Sequence, residues 1–380
     1  MDETSLRGLL DIALSREPPL GPVARNSLRA GIKRRRRRRA QGVAGSAAVV
    51  AAIAVAIPAI AAALGQHAGA PQTPGGRAAY VVNGGTDTVT PITTATNTPG
   101  KPIKVGNYPA AIAITPDGKT AYVVNDGSGS FGTVTPITTA TNAPGKPIRV
   151  GNFPDAIAIT PDGRTAYVAN INSNTVTPIA TATNTPGRPI KVGVRPRMIV
   201  ITPDGKTAYV VNQGAGIGNQ AGSFGTVTPI ATATNTPGRP IKVGNGPLVI
   251  AITPDGKTVY VPNSSTDTVT PIATATNTPG KPIKVGRIPW AIAITPDGKT
   301  AYVANSGTDT VTPIATATNT PGKPIKVGPE PQYIAITPDG KTVYVAIFKS
   351  PTVTPIATAT NTPGKPIKVG KDPYVIAITP

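Results

Sequence analysis

Residues 291–328 read AIAITPDGKTAYVANSGTDTVTPIATATNTPGKPIKVG, and this stretch decides the fold. Four short runs rich in β-branched residues are separated by turn residues. Ala291–Thr295 comes first. It is closed by Pro296-Asp297-Gly298, where proline fixes φ and glycine accepts a positive φ. Thr300–Asn305, Thr310–Ile314 and Lys323–Val327 complete the unit. The first two runs are almost wholly apolar, as expected of strands covered on both faces. Pro324 suits an outer edge strand, where it blocks pairing with another chain. Pro313 falls in the third run, which should be paired on both sides, so a bulge is expected there. In the copy that starts at Ala111 the strands are expected at Ala111–Thr115, Thr120–Asn125, Thr133–Ile137 and Lys146–Val150.

The unit recurs along most of the chain. Its tyrosine appears at Tyr80, Tyr122, Tyr167, Tyr209, Tyr260, Tyr302 and Tyr344, at spacings of 42, 45, 42, 51, 42 and 42 residues. Seven four-stranded units of this period predict an all-β, seven-bladed β-propeller of antiparallel blades over residues 77–380. The first copy lacks an innermost strand. The last is followed by an orphan one, so strand 375–379 is expected to complete the first blade and close the ring.

The first 76 residues are of another kind. Residues 1–40 carry 11 basic and 4 acidic side chains, with an unbroken basic run from Lys33 to Arg39. An uncharged apolar run from Val43 to Leu64 follows, about 33 Å long as a helix, enough for the hydrocarbon layer. The expectation is a single transmembrane α-helix at 40–66 with the N-terminus inside. A basic cytoplasmic tail at 1–39, with a short amphipathic helix near Leu6–Ala13, precedes it. A linker at 67–76 follows. The localisation expected is the cell membrane, single-pass, with the propeller extracytoplasmic. A cleavable signal peptide ending at Ala68-Gly69-Ala70 is the rival reading, opposed by the long tail and by Pro71.

Tyr80-Val-Val-Asn83, the Thr-Pro-Asp-Gly turn and the Pro-x-x-Ile-Ala start of the innermost strand resemble the YVTN-type β-propeller repeat of bacterial surface and periplasmic proteins. That resemblance implies a lactonase-like seven-bladed propeller, a superfamily that includes sugar-lactone hydrolases. The Ile-Asp-Thr that commonly ends the family's third strand is Ile-Ala-Thr or Ile-Thr-Thr here, which removes one acid per blade.

Chemistry-bearing residues are few. The chain has no cysteine, and its one histidine, His67, lies outside the repeats. A Cys nucleophile, a propeller-borne His base and a Cys/His zinc set are therefore excluded. No catalytic residue, metal or cofactor is expected. Most aspartates belong to turns; Asp155, Glu330 and Asp372 are the acids that a hydrolase reading could use, and Asp126-Gly-Ser-Gly-Ser130 loosely resembles a calcium loop. Basic residues are not interleaved with aromatics along one track, which argues against nucleic acid.

Variation concentrates in the links before each innermost strand and in the loops between second and third strands, which share one face. The two lengthened loops are Asp126–Gly132 and Gln213–Gly225. Aromatic and polar residues gather there. The candidate ligand-binding set is Tyr108, Phe153, Asp155, Arg195, Arg197, Trp290, Glu330, Gln332, Tyr333 and Tyr374. The function expected is a binding or interaction module for an extracellular glycan, peptide or protein. A lactonase-like hydrolase and a structural surface-display protein are the alternatives.

Overall fold

The structure, a computed structural model, describes residues 78–127, 131–215, 224–370 and Pro373. They form seven antiparallel sheets in chain order. Blade 2 is representative. Its strands are Pro109–Ile114, Thr120–Asn125, Thr133–Thr138 and an outer edge in two pieces, Ala143–Pro144 and Ile148–Arg149, both paired with the third strand. Blade 1 begins at Ala78–Asn83, and its four strands include no innermost one. The expected closing strand 375–379 and the apolar run 43–64 both lie outside the described residues. Among the described residues no helix is long and apolar enough to cross a membrane.

Two local expectations are corrected. No bulge accompanies the proline of the third strand: Tyr122 pairs with Pro136 in unbroken register. The Pro136 carbonyl accepts from Gly145 N–H at 2.7 Å, so this residue's backbone polar groups face the outer edge. The N–H that proline lacks would have pointed the same way. The outer strand is interrupted at Gly145-Lys146-Pro147, so no ladder bond to the second strand is lost. That interruption is why the outer strand is two short pieces rather than a continuous Lys146–Val150.

The bulge lies in the innermost strand instead. Pro109 pairs with Asn125 and Ala111 with Val124, which leaves Ala110 as the extra residue. The same offset recurs at Asp155, Arg197, Trp290 and Gln332. Blade 5 pairs only at the strand's ends but keeps the offset around Leu248–Ile250.

Each blade packs one apolar face on the next. Ala111, Ala113, Tyr122 and Val124 of blade 2 form one cluster with Ile157, Ala166, Val168 and Ile179 of blade 3. The repeated tyrosine is more than a core filler. Tyr122 Oη donates to Asn184 Oδ1 in the following blade at 2.7 Å, and the same bond recurs from Tyr80 through Tyr302. The acceptors, Asn184 among them, hold φ near +55°, a conformation asparagine tolerates better than most residues. The Pro-Asp-Gly turn is fixed by its own polar groups. Thr115 Oγ1 and Lys119 N–H both donate to Asp117 Oδ1, at 2.6 and 3.0 Å, and Gly118 takes φ of 72°.

Candidate functional site

The links before the innermost strands and the loops after the second strands are bonded together on one face, as the sequence pattern implies. Asp126 N–H donates to the Tyr108 carbonyl at 3.0 Å, and Gly127 N–H to that of Asn107. The aspartates of the Thr-Asp-Thr loops also serve this joint. Asp87 Oδ1 accepts from Tyr108 N–H at 2.8 Å, Asp267 Oδ1 from Ile288 N–H at 2.9 Å and Asp309 Oδ1 from Glu330 N–H at 3.0 Å. Asn174 does the same for Arg195. The residues so held take positive φ, Tyr108 at 52°, Arg195 at 57°, Ile288 at 52° and Glu330 at 53°; Phe153 does too, at 55°, in a link where Asn152 N–H donates to Ser173 Oγ. For a β-branched residue such as Ile288 this conformation is a rarity.

The clamp presents side chains outward. Tyr108 is 49% exposed and Phe153 40% exposed. Two residues later comes the bulged position, and a bulge re-aims the side chain it carries. In blades 3 and 4 these residues meet: Arg197 Nη1 lies 3.2 Å from Asp155 Oδ2. The Asp155 carboxylate is buried, whereas a quarter of the Arg197 side chain is open. Arg197 Nε donates to Gln213 Oε1 at 3.0 Å. Asp126, from the loop of blade 2, is near enough to Asp155 for the two carboxylates to repel, and Gly132 of the same loop abuts the Pro154 ring of blade 3. Asp126 Oδ1 is buried without a partner.

Burial and the neighbouring Asp155 carboxylate push Asp126 up to about 7. Burial also raises Asp155, to about 6, against the opposing pull of Arg197. The Asp155–Arg197 pair of blades 3 and 4 thus stands within electrostatic reach of the Asp126 carboxyl of blade 2, and both carboxyls are raised.

The remaining candidates are scattered. Trp290 and Gln332 are half-buried and line a small cavity with Val249, Ile292 and Ile334. Tyr333, 3% exposed and clustered with Ala335 and Ala346, lines the same cavity. Glu330 pairs with Lys349 and stands apart from the Asp155 group. Tyr374 and Asp372 lie outside the described residues, as does most of the calcium-like loop beyond Gly127. Among the described residues no group of three His, Cys, Asp or Glu side chains could hold a metal ion. Gln213 is absent from the sequence-derived set, and so is the pairing of Asp126 with Asp155. A signal for both existed, since each is the first residue of a lengthened loop.

The family model described as lactonase, 7-bladed beta-propeller, matches residues 77–191 and 183–321. The chain belongs to this family. No curated protein matches this lactonase-type propeller. Among solved structures, hydrazine synthase of Kuenenia stuttgartiensis is similar at 25% identity and a TM-score of 0.59, over 78% of this chain and 99% of that one. The dihydro-heme d1 dehydrogenase NirN shares the fold at 17% identity and a TM-score of 0.64, over 80% and 66% of the two chains. A 6-phosphogluconolactonase candidate from Bacteroides uniformis does so at 18% identity and a TM-score of 0.58, over 77% and 95%.

Proposed function

We propose that this propeller is an extracytoplasmic binding module, anchored by one membrane-spanning segment with its N-terminus inside, that takes an envelope glycan, peptide or protein on its loop face. The anchor and its orientation rest on the basic run Lys33–Arg39 followed by the apolar run Val43–Leu64. One observation carries the binding reading. The two loops that depart in length from the repeat contribute Asp126 and Gln213, the residues that flank the Asp155–Arg197 pair. Loop drift alone has no reason to place both insertions around one charged network. Arg197 keeps an open edge beside this network, and Tyr108 and Phe153 stand exposed on clamped links. Rigid aromatics beside a few fixed polar groups suit a sugar ring or a peptide.

The test is titration of the full chain with soluble peptidoglycan fragments and with envelope proteins. Arg197→Ala and Trp290→Ala should each weaken a bound ligand by ~1–3 kcal/mol. Lys299→Ala, in the turn after the innermost strand, should leave it unchanged. Equal loss from all three would defeat the reading.

A second reading, hydrolysis of a sugar lactone, is favoured by the family and by two carboxyls, Asp126 and Asp155, both raised above their ordinary values. In that reading Asp126 or Asp155 would take a proton from water, and Arg197 would face the lactone carbonyl. Turnover of glucono-δ-lactone that Asp126→Asn abolishes would support it; no turnover by the parent chain would end it.

A further inference from the structure

We infer that the outer rim of the propeller binds a flexible linear polymer bearing one anionic group per unit and no aromatic bases. The rim touches the loop face through the Arg149–Phe131 contact but takes its other thirteen cations from the outer edges, so either assignment can fail without the other.

The observation is a belt of charge of one sign. Each outer edge carries two basic residues, from Lys101 and Lys104 in blade 1 to Lys365 and Lys368 in blade 7, and all fourteen are exposed. The described residues hold 24 basic and 12 acidic side chains, so the rim alone exceeds the net positive charge of that whole region. None of the acids lies on an outer strand or in the turn before it. The basic residues of the Pro-Asp-Gly turns are neutralised locally, as in Lys119 with Asp117 and Lys257 with Asp255. The rim cations form no ion pair among the described residues.

The belt is continuous from blade 1 through blade 7. The second piece of one outer edge lies against the first piece of the next, Ile103–Lys104 beside Ala143–Pro144 and Ile148–Arg149 beside Thr185–Pro186. Within a blade the two cations are three residues apart, about 10 Å of extended chain. That is roughly one Debye length at physiological salt, so their fields add.

Protection of the edges against strand pairing is the plainest competing account. Lysine does serve that purpose, but protection needs no unbroken belt, and every outer edge here carries two cations and no acid. A planar membrane meets only the blades turned toward it, whereas a flexible chain follows the rim from blade to blade. A single-stranded nucleic acid calls for stacking aromatics along the groove. Among the described exposed aromatics, Tyr108, Phe153 and Phe224 belong to the loop face, and one, Phe131, 51% exposed, meets a rim cation, Arg149, whose guanidinium carbon lies 3.6 Å from its ring centre; one aromatic in seven blades is no stacking track.

The experiment uses the full chain with Lys33 and Arg34 to Arg39 changed to Gln, so that the tail contributes nothing, and long-chain inorganic polyphosphate as the probe. Affinity should fall roughly 30–100-fold between about 50 and about 200 mM salt, as release of counterions from several contacts demands. Lys281→Gln, Lys284→Gln, Lys323→Gln and Lys326→Gln together should weaken binding about tenfold or more. Lys119→Gln, Lys206→Gln, Lys257→Gln and Lys299→Gln together remove the same net charge from the turns and should change it less than about twofold. Unchanged melting temperatures for both variants exclude misfolding. Equal loss in the two variants overturns the proposal, as net charge alone would then explain binding. Tighter binding to phosphatidylglycerol vesicles, or to single-stranded DNA of equal charge, overturns it as well, as does no binding to polyphosphate.

Discussion

Val81 of blade 1 and Val123 of blade 2 occupy the same place in the repeat, in YVVN segments of identical sequence, yet Val81 is 43% exposed and Val123 wholly buried. The far end of the array shows the same contrast. Ile367 of blade 7 is 46% exposed, and its equivalent Ile325 in blade 6 is 6% exposed. Local sequence does not distinguish the members of either pair. What differs is the neighbour: interior blades are covered on both faces, and the two terminal blades are not. A blade is therefore an incomplete folding unit, and burial is a property of the stack.

The most drastic way to break this contrast is at the C-terminus. If strand 375–379 supplies the innermost strand that blade 1 lacks, deleting Tyr374–Pro380 leaves the edge of Ala78–Asn83 open. Loss of a single cooperative unfolding transition, or of solubility, is the expected result in a calorimetric scan. A deletion as stable as the parent would show that blade 1 is completed in another way.

Single substitutions sharpen the same contrast. Val123→Ala should lower stability by about 2 kcal/mol, the transfer of the lost methyl groups plus the cavity they leave. Val81→Ala should cost less than about 0.5 kcal/mol, since that side chain is already wet. Denaturant midpoints for the two variants decide it, and equal losses would mean that blade 1 is covered in solution.

The charged network gives a pH signature. Asp126 and Asp155 are raised above their ordinary values, so the native state holds their protons more tightly than the unfolded chain does. Their contribution is complete below about pH 4 and fades as pH rises toward 7. Asp126→Asn, which mimics the protonated form, should therefore stabilise the protein at pH 8 by about 1–2 kcal/mol, after allowance for its partial exposure, and do nothing at pH 4. The turn aspartates run the other way. Hydrogen bonds from Thr115 and Lys119 hold Asp117 below the usual range, so its contribution is lost only as pH falls below about 4. The two windows do not overlap, and urea midpoints at pH 3, 5 and 8 would separate them. A parent profile that is flat between pH 5 and 8 would rule out the buried carboxyl pair.

The smallest effect belongs to the exposed turn pairs. Lys299→Gln removes an ion pair of 3.7 Å between exposed side chains and should change stability by no more than about 0.5 kcal/mol. A larger loss would mean that these turns brace neighbouring blades through charge.

Much of the candidate site could be read before the structure, and specific parts could not. The shared loop face, the variable position after each proline and the exposure of Tyr108 and Phe153 follow from comparing repeats within one chain. The near-complete burial of Tyr333, the second residue after its proline, is not visible in the repeat pattern. A one-residue bulge at Gln332 shifts the side-chain alternation there, and it depends on pairing with a strand elsewhere in the chain.

The sequence by itself determined the seven units, their four strands, the Pro-Asp-Gly turns and the positive rim, because each is set by local geometry and by a period that repeats. Only the tertiary structure decided that Tyr122 donates to Asn184, that Pro136 turns its missing N–H toward a gap, and that Asp155, Arg197 and Gln213 form one network within electrostatic reach of Asp126. These are contacts between residues tens of positions apart, or choices of which edge a backbone group faces. No pattern along the chain encodes a distance across a blade boundary.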